Sequence, residues 1–164
     1  MATSMLRAPV LAFALSLGAA HPAAPQEMPR RIAGPVEASV VKVRDGDTVE
    51  VLAFVWPMQA VHVAVRLRGI DAPELKGKCP GESEAAERAR NRLVELIGEG
   101  PVRLHDISGD KYFGRVLADL SVAGEPDLAR RPLREELVAP YEGGRRRDWC
   151  PLLGARGEEG PERG

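Results

Sequence analysis

The clearest pattern in the chain is the alternation over 61–68, where Val61, Val63, Val65 and Leu67 share one face and His62, Ala64, Arg66 and Arg68 the other. Successive strand side chains point to opposite sides, so this spacing predicts a half-buried strand with Arg66 on its outer surface. The stretch 114–122 repeats the logic, with Val116, Ala118, Leu120 and Val122 on one face and Arg115 on the other. Upstream, 36–43 and 48–55 are β-rich and flank Asp45-Gly46-Asp47, which predicts a hairpin around a tight turn. Pro57 ends the second of these strands, and 102–107 supplies one more. Between the strands, Ala86, Ala89, Leu93 and Leu96/Ile97 recur at three and four spacing, which predicts a helix over 82–97 stopped by Gly98 and Gly100-Pro101. A second helix is expected over 127–138, with Pro132 kinking it or restarting it as a first-turn proline.

Five short strands, with one helix after the third and another after the fifth, predict a mainly β protein of the α+β class, a five-stranded barrel carrying two or three helices. A chain of 164 residues, 44% hydrophobic, supports one compact domain, expected over 36–150. Ahead of it, 1–24 reads as a secretory signal, with Arg7 as its only charge, an apolar run over 8–17 and small residues at 18–20. That run is shorter than the ~20 residues needed to span a bilayer, so no stable membrane insertion is expected after cleavage. The expected location is the periplasm or the medium. Residues 21–35 are rich in Pro and Ala, so 25–35 read as a linker, and 151–164 read as a disordered tail.

Export changes the reading of the two cysteines, because an oxidising compartment allows them to pair. A Cys79–Cys150 disulfide is expected, contributing roughly 4 kcal/mol on the chain-entropy model. Two buried thiols or a metal pair are the alternatives, although zinc would call for further Cys or His ligands. The formal charge of −1 is unusual for a chain that grips nucleic acid. Arginine greatly outnumbers lysine, however, and a few guanidinium groups can bind phosphate bidentately. The run Arg145-Arg146-Arg147 is either part of such a surface or a solvated loop.

The chemistry lies in Arg44-Asp45-Gly46-Asp47-Thr48, in Arg66-Leu67-Arg68-Gly69-Ile70-Asp71-Ala72-Pro73-Glu74 and in Asp110-Lys111-Tyr112-Phe113-Gly114-Arg115. Phosphodiester hydrolysis needs a divalent cation on hard oxygens, a carboxylate for water, and cationic donors for the phosphorane charge. All three are present in these segments. In order and spacing they resemble the thermonuclease (staphylococcal nuclease-like) family over about 36–150. The resemblance implies an OB-like barrel and an exported, calcium-dependent endonuclease that hydrolyses DNA and RNA with little sequence preference, single strands favoured. It implies that Asp47, Asp71 and the Ala72 carbonyl hold Ca²⁺, that Glu74 orients or deprotonates water, and that Arg66 and Arg115 bind phosphate. Asp45 would support the site by hydrogen bonding. Lys111, Tyr112 and Tyr141 fall near the family's terminal-phosphate and base-stacking positions.

This sequence departs from the family at three places. Phe113 adds a residue before Gly114-Arg115, Pro132 and Glu136 interrupt a helix, and Gly143-Gly144 with Trp149-Cys150 replace a long C-terminal helix. The competing reading is a non-catalytic OB-fold module that only binds nucleic acid, and a monomer is expected in either case.

Overall fold

The structure is a computed structural model that describes residue 27 and residues 29–157; the expected signal segment and the end of the tail lie outside it. Strand β2 (Val36–Asp45) turns through Gly46-Asp47 into β3 (Thr48–Trp56), which pairs antiparallel with β4 (Gln59–Leu67). Strand β7 (Arg115–Ser121) lies parallel to β4, and β6 (Val102–Gly109) runs antiparallel to both β2 and β7. The order β6-β2-β3-β4-β7 therefore closes on itself, giving the expected five-stranded OB-like barrel in an α+β fold. Closure removes the unpaired edges that an open sheet of this size would leave.

Barrel-facing Val49, Val51, Val65, Leu67, Leu104, Ala118 and Leu120 are buried together with Leu93 and Ile97 of helix α1 (Pro80–Ile97). Alternation along β4 therefore holds at Val65 and Leu67, whereas Val61 is exposed. It belongs to the β3–β4 hairpin tip, where Phe54, Trp56 and Met58 also face solvent. Helix α1 starts two residues earlier than its periodicity predicts: Cys79 is the extended N-cap and Pro80 takes the first turn, where its missing N–H costs nothing. It ends at Gly98, whose φ of 63° suits glycine.

Three expectations change. Within the predicted linker, β1 (Arg31–Ile32) adds to the edge of β6, and Arg31 forks onto Asp106. The helix expected over 127–138 contracts to α2 (Arg130–Arg134), with Pro132 inside its first turn. Glu136, at φ 53°, then takes the chain out of helix and into β8 (Ala139–Pro140). Finally, the start of the predicted tail is helical, as α3 (Cys150–Gly157). Among the described residues no helix is long and apolar enough to cross a membrane.

The disulfide between Cys79 and Cys150 is present, with Cα atoms 6.0 Å apart, and it ties the start of α3 to the N-terminus of α1. A short strand β5 (Ile70–Asp71) pairs with β8, setting Asp71 opposite Ala139. These two ties, one covalent and one a backbone ladder, fold the C-terminal segment 139–149 back over the mouth of the barrel.

Candidate active site

The site begins at the β2–β3 turn. Gly46 is packed so closely that a Cβ there would lie 2.7 Å from the Ala89 Cβ and 3.0 Å from the Ala72 Cβ, so only glycine lets the turn sit against α1 and the strand-end loop. Asp45 accepts a hydrogen bond from the Asp47 backbone at 3.1 Å, closing the turn and aiming Asp47 inward. Asp47 is 1% exposed and both its oxygens are used. Oδ1 accepts from the Thr48 hydroxyl at 2.8 Å and from Arg66, and Oδ2 accepts from the Ala72 N–H at 2.8 Å. Burial, with the neighbouring Asp47 charge next, pushes the Asp45 carboxyl up to about 6.

Strand pairing puts Arg66 directly opposite Thr48. Its guanidinium bonds Asp47, Asp71 at 3.3 Å and the Ile70 carbonyl at 3.2 Å, and lies 5.7 Å from the Tyr141 ring centre. Arg66 therefore does not lie on an open outer surface, as alternation alone predicts. Its side chain is only 11% exposed, because the 69–72 segment turns back over it. Gly69, at φ 79°, makes that reversal, and its carbonyl accepts from Tyr141 at 2.9 Å. The acids Asp119 and Glu50 of the neighbouring strands pair with Arg68 and Arg44 instead.

Asp71 is also 1% exposed. Its Oδ1 is shared by Arg66 and Arg146, whereas Oδ2 is buried without a hydrogen-bond partner. Arg146 is a residue of the mouth that pattern reading misses. From the C-terminal segment it donates Nε to Asp71 at 2.6 Å, one terminal nitrogen to the Ala72 carbonyl at 2.9 Å and the other to Glu74. Burial draws its basicity down, but the Asp71 hydrogen bond and the charges of Asp71, Glu74 and Asp47 outweigh this and hold it above the usual guanidinium value. The only sequence signal was its place in the Arg145–Arg147 run.

Glu82, the first residue of the predicted helix, is a second residue that pattern reading does not single out. It is 6% exposed and its two oxygens accept from the Glu74 N–H at 3.4 Å and the Lys78 N–H at 2.8 Å, fixing the loop that carries Glu74. With Cys79 and Cys150 it forms a possible metal-binding group, but in the oxidised protein the two sulfurs are bonded to each other. The acid at the third helical position after an N-cap is the signal that could have found it.

Arg115 enters from the other side of the mouth, paired with Asp110 and 4.5 Å above the Tyr112 ring. Lys111 is 5.1 Å from the same ring, and Tyr112 itself is half-exposed. Tyr141 donates its hydroxyl to the Gly144 carbonyl at 2.8 Å. Arg66, Glu74, Lys111, Tyr112, Arg115, Tyr141 and Arg146 all line one open cleft of about 480 Å³. Every residue singled out in the sequence for phosphate, base or water chemistry thus meets at one barrel mouth, with Asp47 and Asp71 beneath. Two buried carboxylates and a carbonyl are hard oxygens of the kind that could hold calcium, and the buried Asp71 oxygen has no hydrogen-bond partner of its own.

The chain matches no protein-family model. Over 97 residues it is 36% identical to Protein ParB of Escherichia coli, an alignment covering 59% of this chain. The chain spans about half the length, 47%, of that relative.

Proposed function

We propose that this protein is a calcium-dependent nuclease of the thermonuclease type, exported to the periplasm or beyond, that hydrolyses phosphodiester bonds of DNA and RNA with little sequence preference. The observation that carries the reading is the convergence of Asp47, Asp71, Ala72 and Glu74 with Arg66 and Arg115 at a single cleft. Two buried carboxylates beneath that cleft favour catalysis over binding alone, because a surface that only grips phosphate calls for cations rather than acids.

Asp47, Asp71 and the Ala72 carbonyl would hold the calcium ion, which when bound supplies a Lewis acid for the charge on the phosphate. Arg115, a quarter exposed and stacked on Tyr112, is positioned to exchange Asp110 for a nonbridging phosphate oxygen. Arg66 is held rigidly by Asp47, Asp71 and Ile70, so it presents its charge with little reorganisation as negative charge develops. Glu74, on a loop anchored by Glu82, is the carboxylate with access to solvent and hence to the attacking water. The exposed ring of Tyr112 offers a base a sequence-tolerant stacking surface, which favours single-stranded substrate.

The test is incubation of the purified protein with single-stranded DNA in calcium, in a calcium chelator, and as Glu74→Gln. Calcium-dependent cleavage that falls about 10²–10⁴-fold in the variant is expected for loss of a general base or water-orienting group. Binding without cleavage in every condition would instead favour the module.

A further inference from the structure

The Arg146 guanidinium makes three contacts, and two of them are to atoms assigned to calcium: Asp71 Oδ1 and the Ala72 carbonyl oxygen. The third, to Glu74, engages the carboxylate proposed to handle water. Arg146 thus stands where the ion would stand. Guanidinium groups lie among the oxygens of Asp47, Asp71 and Glu74. A metal ion seated on those oxygens would lie close beside this guanidinium, and at that range the like charges repel.

Arg146 is also well placed to withdraw. Its side chain is 41% exposed, and it sits between Gly143-Gly144, at φ 102° and 90°, and Trp149, which is buried beside the disulfide-bonded Cys150. The segment has a glycine pivot on one side and a covalent anchor on the other. Released from the carboxylates, the guanidinium would stay on the wall of the cleft it shares with Arg115 and Tyr112.

We infer that Arg146 is a tethered cation that plugs the metal site, so that calcium binds only by displacing it from Asp71, Ala72 and Glu74. The inference rests on the calcium reading proposed above. The plug pairs with Asp71 Oδ1 and Glu74 while no ion is present and sets a threshold of calcium below which the site stays closed. Apparent affinity is the intrinsic affinity reduced by the fraction of molecules with the plug withdrawn, so a plug seated about nine-tenths of the time weakens binding about tenfold.

Calcium binding to the chelator-treated protein is measured by titration calorimetry for the natural sequence, Arg146→Ala, Arg146→Gln and Arg145→Ala. Arg145 makes none of the three contacts, so its substitution removes the same charge without touching the plug. The expected result is calcium binding about tenfold tighter in both Arg146 variants and unchanged in Arg145→Ala. Arg146→Gln keeps the side-chain bulk and guards against misfolding of the alanine variant. Equal or weaker binding in the Arg146 variants, or equal tightening in Arg145→Ala, overturns the plug. Tight binding in the Arg146 variants with no cleavage of DNA by any protein leaves the plug standing and removes the nuclease reading. Absence of calcium binding by all four up to about 10 mM, beyond the weakest extracellular sites, removes both.

Discussion

Replacing Arg66 with Ala should destabilise the calcium-free protein by about 3 kcal/mol, because Arg66 is the counter-ion of two carboxylates that water scarcely reaches. Loss of one partner from a buried ion pair costs about 3–5 kcal/mol, most of it the penalty for a charge left without compensation. The lower end applies because neither acid is left bare. Asp47 retains the Thr48 hydroxyl and the Ala72 N–H, both at 2.8 Å, and Asp71 retains Arg146 at 2.6 Å. For a domain of this size the loss corresponds to a fall in Tm of roughly 10 °C. The assay is thermal and guanidinium unfolding in chelator, followed by tryptophan fluorescence, with Arg66→Lys and Arg92→Ala alongside. Lysine keeps the charge but not the fork that spans Asp47, Asp71 and Ile70, so it should recover part of the loss. Arg92 makes its ion pairs to Glu95 and Glu135 at the surface, so its substitution should change Tm little. Calcium, if it binds the same acids, should narrow the gap between Arg66→Ala and the natural protein. A melting curve for Arg66→Ala in chelator no lower than that of Arg92→Ala would refute the counter-ion reasoning.

Gly46→Ala should cost about 1–3 kcal/mol by overpacking against Ala89 and Ala72, and the double variant with Ala89→Gly should lose less than the sum of the singles in urea denaturation. Replacing Cys79 and Cys150 with Ser should lower stability by about 4 kcal/mol, from a crosslink spanning 71 positions; a denaturation midpoint unchanged from the natural protein would count against it. Asp45 has a folded pKa raised to about 6, so its contribution to stability is full below the ordinary carboxylate value and is lost as pH rises through about 6. Asp45→Asn, which still offers an oxygen to the Asp47 N–H, should therefore gain Tm relative to the natural protein between pH 5 and pH 8 in chelator, and parallel Tm profiles would sink this assignment.

What could be read in the sequence is what depends on short-range spacing. Alternation at Val63, Val65 and Leu67 fixed which side of β4 enters the core, because a strand of period two cannot bury one face and expose the same face. The three- and four-residue recurrence through Ala86, Ala89, Leu93 and Ile97 did the same for α1. Asp47, Asp71, Glu74, Arg66 and Arg115 were named from segments that resemble the thermonuclease family, each carried on a strand or turn that its own neighbours specify.

Short-range spacing failed where partners are distant along the chain. Residues 127–138 have helical composition, but Glu136 turns out of helix so that Ala139 can pair with Asp71, a contact no local window contains. The alternation that put Arg66 outside was right about the strand and wrong about the surface, since 69–72 and Tyr141 cover it. Arg146 sits 75 positions from Asp71, and nothing in its neighbours distinguishes it from Arg145 or Arg147. The sequence alone thus determined the barrel's strands and its long helix, which follow from side-chain period and turn chemistry, and the chemical types at the mouth, which follow from motifs that resemble a known family. Only the tertiary structure decided which charges meet, because pairing across the mouth depends on the β5–β8 ladder and the Cys79–Cys150 bond that bring the C-terminal segment back over the site.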